Sequence, residues 1–211
     1  MAHPSEPATP RRRDPDRRAR ILTAAAALAA RRGFHAVAMD EIGSEAGIVG
    51  SGVYRHFNSK QDILVALLDQ AMARLQSEAS DILAAAPDDR TALSLLVRAH
   101  IAVAMHDRDV LTVYHREAYS LPDADRRRLR REQRHYIEEW VAVLGPLRPE
   151  LADGELRLLV HAAIGAVQAT LFYRSGLAAD RLTELLDITA HACLGVSPAT
   201  GRRSELELTK P

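Results

Sequence analysis

The 211-residue chain contains one cysteine, Cys193, and only two lysines, Lys60 and Lys210. A single thiol excludes an intramolecular disulfide and any zinc site built on several thiolates, and it fits a reducing compartment. Aromatic residues are scarce at 4% while Ala and Leu abound, a balance that favours helices over a sheet sandwich. Net charge is absent, with 28 Lys and Arg against 28 Asp and Glu, so no global field draws the chain to nucleic acid or to an anionic membrane. Long apolar runs are missing too. The first 20 residues are polar and Arg-rich, without the apolar centre of a secretory signal. Near the C-terminus the longest stretch free of Asp, Glu, Lys and Arg, Leu158 to Tyr173, is interrupted by His161, Gln168 and Thr170, and it falls short of the ~20 apolar residues of a spanning helix. These absences predict an all-α, cytoplasmic protein with no membrane segment.

Charge does separate along the chain. Ten basic and six acidic residues precede or include Lys60, and 18 and 22 follow; a basic N-terminal module joined to a mildly acidic larger one is the layout of a DNA reader with a separate sensing domain. The Arg bias among the basic residues is equally a mark of GC-rich coding, so each Arg needs its own argument. Pro4, Pro7, Pro10 and Pro15 with Arg11 to Arg13 make residues 1–15 a flexible basic arm. Helical periodicity then places Ile21, Leu22, Ala25, Leu28 and Ala29 on one face until Gly33, a stop signal. Met39 to Ala46 and about Gly50 to Phe57 read as two short helices around Gly47, whose freedom to adopt a left-handed conformation permits the steep crossing of a helix-turn-helix. Asn58 and Ser59, with Asp62, form a capping-box-like start to a long helix carrying Ile63, Leu64, Leu67, Leu68, Met72 and Leu75. Four or five further helices follow, punctuated at Pro87–Asp89, Asp107, Leu121-Pro122, Pro149–Gly154 and Ser175-Gly176, and residues 197–211 read as a tail. The divisions expected are 1–15, 16–60, 61–196 and 197–211.

The segment AGIVGSGVYRHFNSKQDIL has the division of labour a groove-binding helix needs. Val53 and Phe57 anchor its back, while Ser51, Tyr54, Arg55 and His56 face outward and Gly50 and Gly52 leave the face bare. Tyr54 and His56 can each reach a phosphate, and Lys60 sits at the start of the next helix, where backbone N–H groups also favour an anion. Arg55 is the candidate base reader, able to bind guanine O6 and N7 together, and Ser51 can donate to or accept from several bases. A merely structural hairpin explains neither this polar set nor Lys60 after a cap.

The same segment resembles the helix-turn-helix signature of the TetR family of bacterial transcriptional regulators over roughly residues 17 to 64. The resemblance implies a homodimeric, all-helical repressor: a three-helix N-terminal domain binds double-stranded operator DNA through Ser51, Gly52, Tyr54, Arg55, His56 and Lys60, and a larger C-terminal domain dimerises and binds a small ligand. The sequence departs from the family pattern at Val49, where a capping Ser or Thr is common, and at Ala38, which replaces the usual Thr. With Gly50 and Gly52 these departures predict few direct base contacts, leaving specificity to close backbone approach, DNA shape, or Arg11 to Arg13 entering a minor groove.

In the second domain polar residues fall on apolar stripes: His100 beside Leu96 and Ile101, Glu117 beside Val110, Tyr114 and Leu121, and His161 and Gln168 beside Ile164 and Leu171. With Tyr136, Trp140 and Tyr173 these residues would line an apolar pocket with a few convergent polar groups. Singly, each is more readily a core residue bonded to a neighbouring carbonyl than a ligand contact, and Glu117 is a natural partner for an Arg. The pattern VYHREAYSLP followed by DRRRLRREQRHYIEEW resembles sensing domains of actinobacterial TetR-type regulators tied to lipid and acyl-thioester metabolism, which implies an acyl or sterol-like ligand. A lipophilic drug sensed to control efflux remains an alternative, as does a helical enzyme or carrier using Glu117 and a His as acid and base.

Other chemistries find little support. Glu132 and His135 form a single Glu-x-x-His, and a carboxylate-bridged di-metal site needs a second. Asp125 to Arg134 reads as a solvated face, and His191 and Cys193, two apart on a helix, diverge. No nucleophile elbow and no Gly-rich phosphate loop is present, so neither a catalytic residue nor a cofactor or metal is expected.

Overall fold

The computed structural model of the chain describes residues 16–48 and 50–199. Eight α-helices are present among them, joined by short 3-10 turns: α1 (Asp16–Arg32), α2 (Met39–Glu45), α3 (Lys60–Ala85), α4 (Asp89–His106), α5 (Arg108–Glu117), α6 (Asp123–Leu147), α7 (Asp153–Gln168) and α8 (Ala179–Leu194). The basic arm at 1–15 and the tail beyond residue 199 lie outside the described residues.

Local chemistry accounts for the helix ends. The apolar face of α1 (Ile21, Leu22, Ala25, Leu28, Ala29) is buried, and Gly33 ends the helix with φ +82°. At the start of α2, Ala38 has no side-chain oxygen to offer, so only half of a capping box forms: Glu41 Oε2 accepts the Ala38 N–H at 2.8 Å. At α3 Ser59 Oγ accepts the Asp62 N–H, and Asp62 Oδ2 reaches back past the cap to accept the Asn58 N–H, each at 3.1 Å. Asp88 caps α4 by accepting the Thr91 N–H at 2.8 Å.

One element differs from the sequence expectation. Gly50–Arg55, expected as part of a helix reaching Phe57, is a 3-10 helix. Two glycines in six residues lower α-helix propensity by about 1 kcal/mol each, and short helical pieces commonly settle into the tighter form.

The α6 helix packs against α3, α4 and α7, while α8 closes the far side against α7 and α4. At the other end α1 packs on α5 and α3, so α3 and α5 both join the N-terminal helices to the larger bundle. A continuous core runs from Ile21 to Val196, with Trp140 among its fully buried side chains. The outer face of α7 and α8 stays uncovered: Leu158 is 67% and Ile188 56% exposed, beside exposed Ala162, Gly165, Ala169 and Ala192. No helix among the described residues is long and apolar enough to cross a membrane.

Candidate nucleic-acid interface and inner cavity

The turn between α2 and the 3-10 helix is drawn tight by backbone bonds from Gly47 N–H to Ser44 O (3.1 Å) and from Ile48 N–H to Gly43 O (2.8 Å), with Gly47 at φ +66°. Two further glycines allow this close packing. A Cβ on Gly43 would stand 3.0 Å from Val53 Cγ2, and one on Gly52 would collide with Ile48. Gly52 is therefore demanded from behind, whatever its bareness does in front. Val53 and Phe57 are buried as anchors, and the Arg18 guanidinium stands 5.1 Å over the Phe57 ring, pinning the segment to α1. Tyr54, Arg55 and His56 are thereby held together on the exposed face. The side chain of Ser51, Val49 as a whole and Arg11 to Arg13 lie outside the described residues.

Lys60 takes a different position from the one its place in the sequence suggested. Its ammonium donates to the carbonyls of Phe34 (3.1 Å), His35 (3.0 Å) and Val37 (3.0 Å) and lies 5.1 Å over the Phe34 ring. All three protons are thus spent inside the domain, because the Phe34–Ala36 turn presents its carbonyls to the start of α3.

Glu117 serves the same turn from the other side. It is buried at the end of α5, where Oε1 accepts the Phe34 N–H at 3.2 Å and Oε2 stands 3.5 Å from His35 Nε2. The neighbouring Arg116 donates to Ala30 O at 3.0 Å. The sequence reading placed Glu117 in the pocket or beside an Arg. Instead its carboxylate is drawn to a backbone donor left open by the turn after α1, outside the cavity.

The cavity lies between α3, α4, α5, α6 and α7, has a volume of about 30 Å³, and brings together four of the residues expected to line it: His100, Tyr114, Tyr136 and Gln168. The rest of its wall is Ala71, Met72, Leu75, Leu111, Gln133, Ile137 and Ile164. His100 is 1% exposed, with Nδ1 3.0 Å from the Tyr136 hydroxyl and no partner for Nε2. Burial, helped by the nearby His115, pushes its pKa down to about 4, so the ring is neutral. Burial likewise pushes the Tyr114 hydroxyl up to about 12 and raises that of Tyr136. Trp140 backs this cluster edge-on, its ring 6.0 Å from those of His100 and Tyr136, without forming the cavity wall. His161 and Tyr173 are exposed and do not converge with the rest. A second cavity of about 120 Å³ adjoins the first, sharing Tyr114 and Gln133 and adding Arg126 and Arg130. Gln133, Arg126 and Arg130 fall in the stretch read as a solvated face, and Gln133 and Arg130 are exposed while also lining these cavities.

His191 bonds Ser94 Oγ (3.2 Å) and Asp187 O (2.9 Å) rather than meeting Cys193. Among the described residues no three His, Cys, Asp or Glu are grouped to hold a metal.

Two family models match the chain: Bacterial regulatory proteins, tetR family, over residues 21–67, and Tetracyclin repressor-like, C-terminal domain, over residues 84–171. The chain is 35% identical over 92 residues to the HTH-type transcriptional activator FasR of Mycolicibacterium smegmatis, a match covering 44% of this chain and 42% of that protein. It is 28% identical over 149 residues to the HTH-type transcriptional repressor KstR2 of Rhodococcus jostii, covering 67% of this chain and 68% of that one. The match to FasR thus spans less than half of that relative's length. Among solved structures, the ketosteroid transcriptional regulator KstR2 of Mycobacterium tuberculosis superposes with a TM-score of 0.72 at 24% identity, covering 87% of this chain and 95% of that one. AibR, in complex with isovaleryl coenzyme A and operator DNA, gives 0.69 at 16% identity over 81% and 96%. These structures share the fold.

Proposed function

Because the chain belongs to the TetR family of bacterial transcriptional regulators, we propose that it is a homodimeric repressor that leaves a palindromic operator when a small hydrophobic metabolite, an acyl thioester or related lipid, enters the inner cavity. The observation that carries this reading is the double attachment of the N-terminal domain, at the turn after α1, to the helices of the cavity wall. Leu111 and Tyr114 line the cavity from α5, and Glu117 at the end of that helix holds the Phe34 N–H. Ala71, Met72 and Leu75 line it from α3, whose first residue, Lys60, grips the same turn. A ligand larger than this small cavity would press on both helices. Linkage then requires that a ligand favouring the parted arrangement lower operator affinity by the same factor by which DNA lowers its own.

The relatives support the ligand class: one solved neighbour is a ketosteroid transcriptional regulator and another is in complex with isovaleryl coenzyme A and operator DNA. The drug-efflux alternative loses its main support, because Glu117, the carboxylate that would have faced a cationic drug, stands outside a cavity whose wall carries no charged residue. A gel shift with the DNA upstream of the protein's own gene, at about 0.15 M salt, tests the proposal. Sequence-specific retention that acyl coenzyme A thioesters or steroids reverse, together with raised transcription in a deletion strain, is the expected result. Equal retention of unrelated DNA, or release by lipophilic cations alone, contradicts it.

A further inference from the structure

The inner cavity has polar groups but no charged one: His100, Tyr114, Gln133, Tyr136 and Gln168. A carboxylate or ammonium buried there would meet no counter-charge, so the inner end of a ligand has to be neutral. His100 decides the polarity of that end. When the Tyr136 hydroxyl donates to His100 Nδ1, 3.0 Å away, Nδ1 is the acceptor nitrogen of the ring. The imidazole then carries its hydrogen on Nε2, the buried atom without a partner. Such a group is a donor awaiting an acceptor, and a carbonyl oxygen satisfies it without bringing charge.

The outer cavity has the opposite character. Arg126 and Arg130 line it beside Tyr119 and His115, and it meets the inner cavity at Tyr114 and Gln133. Arg126 is steadied by Asp123 and the Tyr119 carbonyl, while Arg130 is exposed. Two guanidinium groups on a half-open cavity select an anionic group, phosphate above all.

We propose that the two cavities form one bipartite site for an amphipathic ligand, with a neutral carbonyl bound at His100 Nε2 and a phosphate-bearing end bound by Arg126 and Arg130, and with Tyr114 and Gln133 as the threshold between them. This deepens the ligand reading above and rests on the cavity being the sensing site. Such a ligand exceeds both cavities, so its entry displaces side chains of α3 and α5, among them the pliable Met72.

Trp140 is the only tryptophan and touches the His100 cluster, so its fluorescence reports occupancy with no DNA present. Titration of the full chain with hexanoyl coenzyme A is expected to give a saturable change. Hexanoate, unacylated coenzyme A and the phosphate-free thioester hexanoyl-N-acetylcysteamine should each need at least about tenfold more. The surface double variant Arg126→Ala/Arg130→Ala should weaken hexanoyl coenzyme A about tenfold and leave hexanoyl-N-acetylcysteamine unchanged. His100→Phe, which keeps a ring in place, should weaken both thioesters. The proposal is overturned by hexanoate binding as tightly as the coenzyme A thioester, by no saturable response to any probe, or by wild-type affinity in the double Arg variant. Operator binding does not enter this measurement, so loss of the repressor reading and loss of this site are separate outcomes.

Discussion

His100 holds an imidazole wholly inside the protein, and its pKa of about 4 against 6.5 in the open chain makes it a pH liability. Between those values the unfolded chain binds the proton and the folded one does not, so stability rises with pH. The contribution is complete above about pH 6.5 and is lost as pH falls toward 4, on the order of 3 kcal/mol over the window. Urea unfolding across that range should show this slope, and His100→Phe should flatten it. Lys60 supports a different expectation. Its three carbonyl contacts mean that Lys60→Met should cost about 1–3 kcal/mol of stability, visible as a lowered melting temperature without DNA. A residue serving only as a phosphate contact would leave the melting temperature unchanged. Arg55, exposed and outside any packing role, should behave in the reverse manner: Arg55→Ala should leave stability intact, cost about 1–3 kcal/mol of operator affinity and relax preference at one base pair.

The α5 helix is where one element performs two tasks, walling the cavity with Leu111 and Tyr114 and holding the Phe34 turn with Glu117. Glu117→Ala should therefore leave the Trp140-detected affinity for hexanoyl coenzyme A unchanged while reducing ligand-driven release of DNA. Glu117→Gln, which keeps an acceptor for the Phe34 N–H, should preserve release. A large change in ligand affinity from either variant would return Glu117 to the pocket. The same helix shows what periodicity conveys. Stripe arithmetic identified Glu117 as inward, as it is, but a helix face states that a residue is buried and not against what. Glu117 met the neighbouring domain and His100 met the cavity although both interrupt apolar stripes. Helix ends were the most legible, since Gly33, Ser59 with Asp62, and Asp88 each act through contacts within a few residues. The Gly50–Arg55 segment was legible as a reading face, through Val53 and Phe57 behind Tyr54, Arg55 and His56, but not as a 3-10 helix. Gly43 carried no signal, because its reason is Val53 on another element. Arg126, Arg130 and Gln133 were hidden by their charged surroundings and count as cavity residues only because Tyr114, distant in sequence, lines the same spaces.

For the molecule as a whole, the proposed dimer would use the exposed face of α7 and α8, which carries Leu158 and Ile188 along with exposed small residues. Leu158→Glu with Ile188→Glu should convert a dimer to a folded monomer by sedimentation at micromolar concentration, with operator binding lost alongside. An unchanged dimer would place the interface elsewhere. The central claim is that two such reading faces, related by two-fold symmetry, recognise one stretch of DNA. Its most direct test is selection of bound duplexes from a random-sequence pool by the full chain at about 0.15 M salt. The account predicts an inverted-repeat consensus whose half-sites lie about 34–36 Å apart, or a longer multiple of the helical turn. In the same selection Arg55→Ala should lose its preference at one base pair in each half. Failure to enrich any sequence, or enrichment of an asymmetric site equally preferred by Arg55→Ala, would contradict it.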